Sequence, residues 1–99
     1  LELAVRSGSI EEQVVARTTL AALGDGEQRA VVRKLAEAGD PQTRELVGQH
    51  AKSDPELLRK LLADRVFAVR FAAAQRLAEQ GDRSALDVLR EGLDKRGGE

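Results

Sequence analysis

The 99-residue sequence has no cysteine, methionine, tryptophan or tyrosine, a single histidine and two phenylalanines, Phe67 and Phe71. Without cysteine there is no disulfide framework, no thiol nucleophile and no cysteine-based metal site. Without Trp or Tyr there is little to stack on a nucleobase or an extended ring system. Charge of one sign is missing too: 16 Lys+Arg against 17 Asp+Glu leave a formal net charge of -1. That balance excludes a basic nucleic-acid arm and an acidic tail. No apolar run is long enough for a membrane span or a signal-peptide core. The expectation is a cytoplasmic protein with no membrane association. Leu1 in place of an initiator methionine suggests a processed chain or an excised piece.

What is present is helical material. Fifteen Ala and fourteen Leu supply the strongest helix formers, and 33% charged residues supply solvated faces. No sustained period-2 alternation suggests a strand, so the composition is all-α. Arg outnumbers Lys twelve to four, which fits a GC-rich bacterial coding sequence.

Gly and Asp punctuate the chain regularly. Ser9 and Glu12 have capping-box spacing and open a helix over about 10–23, with Ile10, Val14, Thr18 and Ala21 on one face. Gly24 suits a left-handed C′ position, and Asp25 starts a second helix carrying Val31, Val32, Leu35 and Ala38 inward as far as Gly39. Asp40-Pro41 and Asp54-Pro55 start a third and a fourth, since proline at the first helical position loses no hydrogen bond. The third offers Leu46, Val47 and Ala51, and the fourth the stripe Leu57, Leu58, Leu61 and Leu62. Asp64 is expected to cap a fifth helix over about 65–80, with Val66, Val69, Ala73 and Leu77 inward. After Gly81, Asp82 starts a sixth that buries Leu86, Leu89 and Leu93. Connections this short make sequence neighbours pack antiparallel.

The same phrase closes three of these helices: Leu-Ala-Ala-Leu-Gly-Asp25, Leu-Ala-Glu-Ala-Gly-Asp40 and Leu-Ala-Glu-Gln-Gly-Asp82. A repeated helix-pair corner is the mark of an α-solenoid, in which each unit buries its face only against its neighbours. The stretch Asp64-Arg-Val-Phe-Ala-Val-Arg70, its Ala-rich continuation to Leu77, the Gly81-Asp82 corner and then Leu86, Leu89 and Leu93 resemble a HEAT-like repeat. Ala51-Lys-Ser-Asp54-Pro55 through Leu62-Ala-Asp64 is also similar to the leucine-rich variant repeat, a related solenoid unit. The resemblance covers residues 54–94. It implies a short right-handed α-solenoid of about three antiparallel pairs, 10–38, 41–63 and 65–94, and a binding role. Residues 1–8, with Leu1, Leu3 and Val5, are then the stub of a preceding helix and 95–99 a flexible tail. Asp25, Asp40, Asp54, Asp64 and Asp82 are structural repeat residues in this scheme. So is Arg70, whose guanidinium is within reach of a neighbouring carboxylate or of open carbonyls.

Catalysis needs a nucleophile, a base or a paired acid placed together, and no such motif surrounds His50. The Gly-Asp corners lack the strand and the Lys-Ser/Thr of a phosphate loop. No catalytic residue, cofactor or metal ligand is assigned. Some leucine-rich variant proteins hold an iron–sulfur cluster on cysteines, of which this chain has none. Phycobilin lyases and alkylpurine DNA glycosylases contain similar repeats, but the missing aromatics argue against both activities. The candidate binding surface is the face of the second helices, where Arg29, Arg33, Lys34, Arg59, Lys60, Arg83 and Arg90 point outward. Glu27, Glu37, Glu56, Asp87, Glu91 and Asp94 share those helices, and i, i+4 ion pairs account for much of such a face. The expected function is a non-enzymatic protein-binding scaffold module, self-association included. The alternatives are nucleic-acid binding through the basic ridge and an accessory fragment of a larger enzyme.

Overall fold

A computed structural model describes residues 8–97, with side chains as far as Lys95. The stub read into Leu1, Leu3 and Val5 lies outside the described residues. Six helices follow: α1 (Ile10–Ala22), α2 (Gly26–Ala38), α3 (Pro41–His50), α4 (Pro55–Leu61), α5 (Phe67–Glu79) and α6 (Leu86–Gly97), the last preceded by a 3₁₀ turn at Arg83–Ala85. No strand occurs among the described residues. The fold is all-helical and solenoid-like.

The local signals behave as their chemistry requires. Ser9 and Glu12 form the reciprocal capping box, and Asp25, Asp40, Asp54 and Asp82 each accept a hydrogen bond from a backbone N–H two or three residues on. Gly24 and Gly81 take φ of 103° and 77°, the left-handed region that closes a helix cheaply only with glycine. Gly39 closes α2 differently, with extended backbone at φ -70°.

Four expectations need correction. Asp64 does not cap a helix beginning at Arg65: α5 starts at Phe67 with Val66 at its N-cap and no side-chain cap bond. The Asp64 carboxylate instead accepts from the Val66 N–H and from Arg44, and that tight local turn delays the helix by two residues. Leu93 does not enter the core but is 72% exposed. The 3₁₀ turn shifts the start of the sixth helix, so Ala85, Val88 and Gly92 are its buried positions, while Leu86 and Leu89 are half-buried, Leu89 packing against the core. On the first two helices Ala16 and Ala36 are buried, whereas Ile10 and Ala38 are exposed. Residues 95–97, read as tail, continue α6.

One apolar cluster runs through the stack, from Val14 and Val32 through Leu46, Val47, Leu57, Leu58 and Leu61 to Val69, Leu77 and Val88. Fully buried side chains such as Leu58 and Leu77 each contribute roughly 1.5–3 kcal/mol. Helix α5 is the hub. Its Ala72, Ala73 and Ala74 are buried and admit close neighbours, so α3 and α4 both lie against it. The short α4 comes nearer to α5 than to α3, its sequence neighbour, and α2 and α4 barely approach each other.

Candidate functional site

Arginines on α2 and α4 each reach an aspartate that follows later in the chain. Arg33 of α2 forms a two-pronged ion pair with Asp54, the N-cap of α4, at 2.9 and 3.1 Å. Arg59 of α4 pairs with Asp82, the N-cap of the 3₁₀ turn before α6, at 2.8 Å, but through one carboxylate oxygen, the other being held by Ser84. Each aspartate therefore closes its own helix and receives the guanidinium of the unit before it. Burial pushes the Asp54 carboxyl up, but the hydrogen bonds from Arg33 and the Leu57 N–H outweigh it and leave it below the usual carboxylate range. Hydrogen bonds from the Ser84 hydroxyl and N–H, then from Arg59, hold Asp82 down at about 2.

A second set of rungs runs through the first helices. Arg44 of α3 is buried, donates to the Gly39 carbonyl at 2.8 Å and reaches forward to both oxygens of Asp64 at 2.8 and 3.2 Å. Arg70 of α5 is its counterpart. It donates to the Asp64 carbonyl at 2.8 Å and pairs with Glu91 of α6 at 2.7 Å. Lys95 and Arg70 stand over the Phe67 ring, 4.2 and 5.5 Å from its centre, and tie α6 to α5.

The basic ridge expected from sequence is thereby divided. Arg33 and Arg59 are engaged with Asp54 and Asp82, and Arg29 donates to the Ala21 carbonyl at 3.3 Å. Arg90 meets Asp87 only loosely, at 3.8 Å. Lys34, Lys60 and Arg83 are exposed and make no ion pair among the described residues. Arg44 was missed by sequence reasoning, which regarded α3 only for its apolar positions. Its signal was spacing: Arg33, Arg44 and Arg59 precede their aspartates by 21, 20 and 23 residues.

Where α2 and α4 diverge they leave an open groove of about 370 Å³. Ala36, Leu57 and Leu61 form its floor, and Arg33, Glu37, Lys60 and Asp64 stand around it. His50 lies elsewhere, in a cleft of about 310 Å³ with Val15, Thr18, Thr19 and Lys52. Ser53 also lines the His50 cleft, and among the described residues no hydrogen bond joins His50 to Thr18, Thr19 or Ser53, the first two hydroxyls donating to backbone carbonyls of α1. Among the described residues no group of three or more His, Asp or Glu converges as metal ligands would, and no helix is long and apolar enough to cross a membrane.

Residues 69–95, which span most of α5 and α6, match the PBS lyase HEAT-like repeat family. Nothing among curated proteins or solved structures matches the chain. The matched segment is the α5–α6 hairpin with its Gly81-Asp82 corner, and the chain carries a HEAT-like repeat there within an all-helical, solenoid-like stack.

Proposed function

We propose that the chain is a non-enzymatic protein-binding module of the HEAT-like type, and that the α2–α4 groove takes a polypeptide segment. The observation that carries this is the groove itself, an apolar floor of Ala36, Leu57 and Leu61 left open between two helices. Its Lys60 and Glu37, both exposed and without an ion pair among the described residues, suit an aliphatic side chain flanked by charges of both signs. Peptide-display selection on the purified protein tests the reading. Selected peptides should share that pattern and lose about tenfold or more in affinity against the Lys60→Glu/Glu37→Lys variant. Peptides indifferent to this double reversal would place binding elsewhere and sink the proposal.

Nucleic-acid binding is the weaker reading because Arg33 and Arg59 are neutralised by Asp54 and Asp82. Duplex and single-stranded DNA titrated at about 50 mM salt should not bind.

A further inference from the structure

What can enter the α2–α4 groove is limited by what lines it. Its floor, Leu57 and Leu61 on α4 with Ala36 on the facing α2, carries only alkyl groups. Of the polar side chains around it, Arg33 donates to Asp54, and Asp64 accepts from Arg44 and from the Val66 N–H. Glu37 and Lys60 make no hydrogen bond or ion pair among the described residues. The main chain beside the floor is spent as well. The carbonyls of Arg59, Lys60 and Leu61, which end α4, accept from the N–H groups of Leu62, Ala63 and Asp64.

That lining discriminates between two shapes of polypeptide. An extended segment brings an unpaired N–H and C=O at each residue, and it needs a sheet edge or a row of amide side chains to receive them. The described residues contain no strand, the sequence contains no asparagine, and none of its glutamines lines the groove. Covering such a main chain without partners is unfavourable. A helix satisfies its own backbone and presents apolar side chains at i, i+3 and i+4 to a surface of alkyl groups. The floor has the matching period. Leu57 and Leu61 are themselves an i, i+4 pair, and the small Ala36 on the facing helix admits a close approach.

We infer that the partner of this groove is an amphipathic helix, its apolar stripe seated on Ala36, Leu57 and Leu61 and its flanking cation and anion set against Glu37 and Lys60. This rests on the reading of the groove as a peptide site and adds the conformation that its occupant takes. A segment held helical before it binds loses less conformational freedom on docking, so stiffening it strengthens the complex.

Two display libraries of equal composition test the inference on the full 99-residue chain. One places apolar residues at i, i+3, i+4 and i+7, the other at alternate positions. Binders lost on Lys60→Glu/Glu37→Lys should come from the helical library. A peptide enriched there is then made with one tryptophan on its stripe. The protein has neither Trp nor Tyr, so that indole reports binding without background. A central proline on the peptide's solvent face should weaken binding about tenfold or more. A lactam joining solvent-facing i and i+4 side chains should strengthen it several-fold. Enrichment from the alternating library, alone or equally, overturns the inference and leaves the groove standing as a site for extended peptide. Tolerance of the central proline overturns it in the same way. If neither library yields binders that depend on Lys60 and Glu37, the groove is not a peptide site and both readings fall.

Discussion

The Arg44–Asp64 and Arg59–Asp82 pairs perform one task, joining one helix to the start of a later one through a guanidinium, yet they stand in different surroundings. The first is 6% and 10% exposed at its two side chains; in the second the arginine is 55% exposed. Coulomb attraction in an ion pair depends on how far water is excluded, so the closest approach of 2.8 Å that the two pairs share does not mean equal consequence. The buried pair has also given up its hydration, and losing either partner leaves the other charge stranded. The exposed pair leaves only an arginine or an aspartate that water readily solvates.

The largest effect should therefore come from Arg44→Met. It strands Asp64 and removes the donor to the Gly39 carbonyl. A fall in Tm on the order of 10 °C or more is expected by thermal denaturation, with little dependence on salt. Pairing it with Asp64→Asn, which keeps an acceptor for the Val66 N–H, should recover much of that loss. If the double variant is no better than the single one, the cost is in packing and not in the stranded charge.

Gly48→Val should come next. A Cβ at Gly48 would stand 3.2 Å from the Cβ of Ala72 and 3.2 Å from the Ala73 nitrogen, where α3 lies against α5. The helices must separate or strain, at roughly 1–3 kcal/mol by denaturant titration. This perturbs the interface that contains Arg44 without touching the charge, so it separates packing from electrostatics.

Much of this was legible beforehand, and the parts that were not share a cause. Capping residues and corner glycines act within a few residues of themselves, so Ser9, Asp25, Asp40, Asp54 and Gly81 could be assigned from neighbours alone. Asp64 defeated that logic because a residue from another unit competes for its carboxylate. Leu93 defeated periodicity because a 3₁₀ turn changed the phase of the helix that followed. The ridge of Arg33 and Arg59 was visible as outward cations, but their partners are a unit away, and a helix-by-helix reading looks only three or four residues along.

Acid should act on both kinds of rung, at the aspartates. Asp82 is held at about 2, and Asp40, Asp54 and Asp64 are also held below their usual range. A carboxyl whose pKa is lower folded than unfolded contributes stability above its unfolded value, near 3.8, and loses it as pH falls through the folded value. The described residues should stay fully folded at pH 5 and destabilise progressively from about pH 4 towards pH 2. Asp82→Asn should be less stable at pH 5 and show a shallower acid transition by circular dichroism. An unchanged slope would mean that the Arg59–Asp82 rung contributes nothing to the acid sensitivity.

The smallest change should follow Arg59→Ala. Its guanidinium is half in water, and Asp82 keeps the Ser84 hydroxyl and N–H after it is gone. The expected fall in Tm is at most about 4 °C at low salt, and it should shrink as salt is added and screens the wild-type pair. That salt dependence is the sharper measurement, because Arg44→Met should lack it. If Arg59→Ala proves as costly as Arg44→Met and equally indifferent to salt, burial does not distinguish the two rungs. The stack would then be held by guanidinium–carboxylate pairs of equal weight, and the outward Arg59 would matter as much to its stability as the buried Arg44.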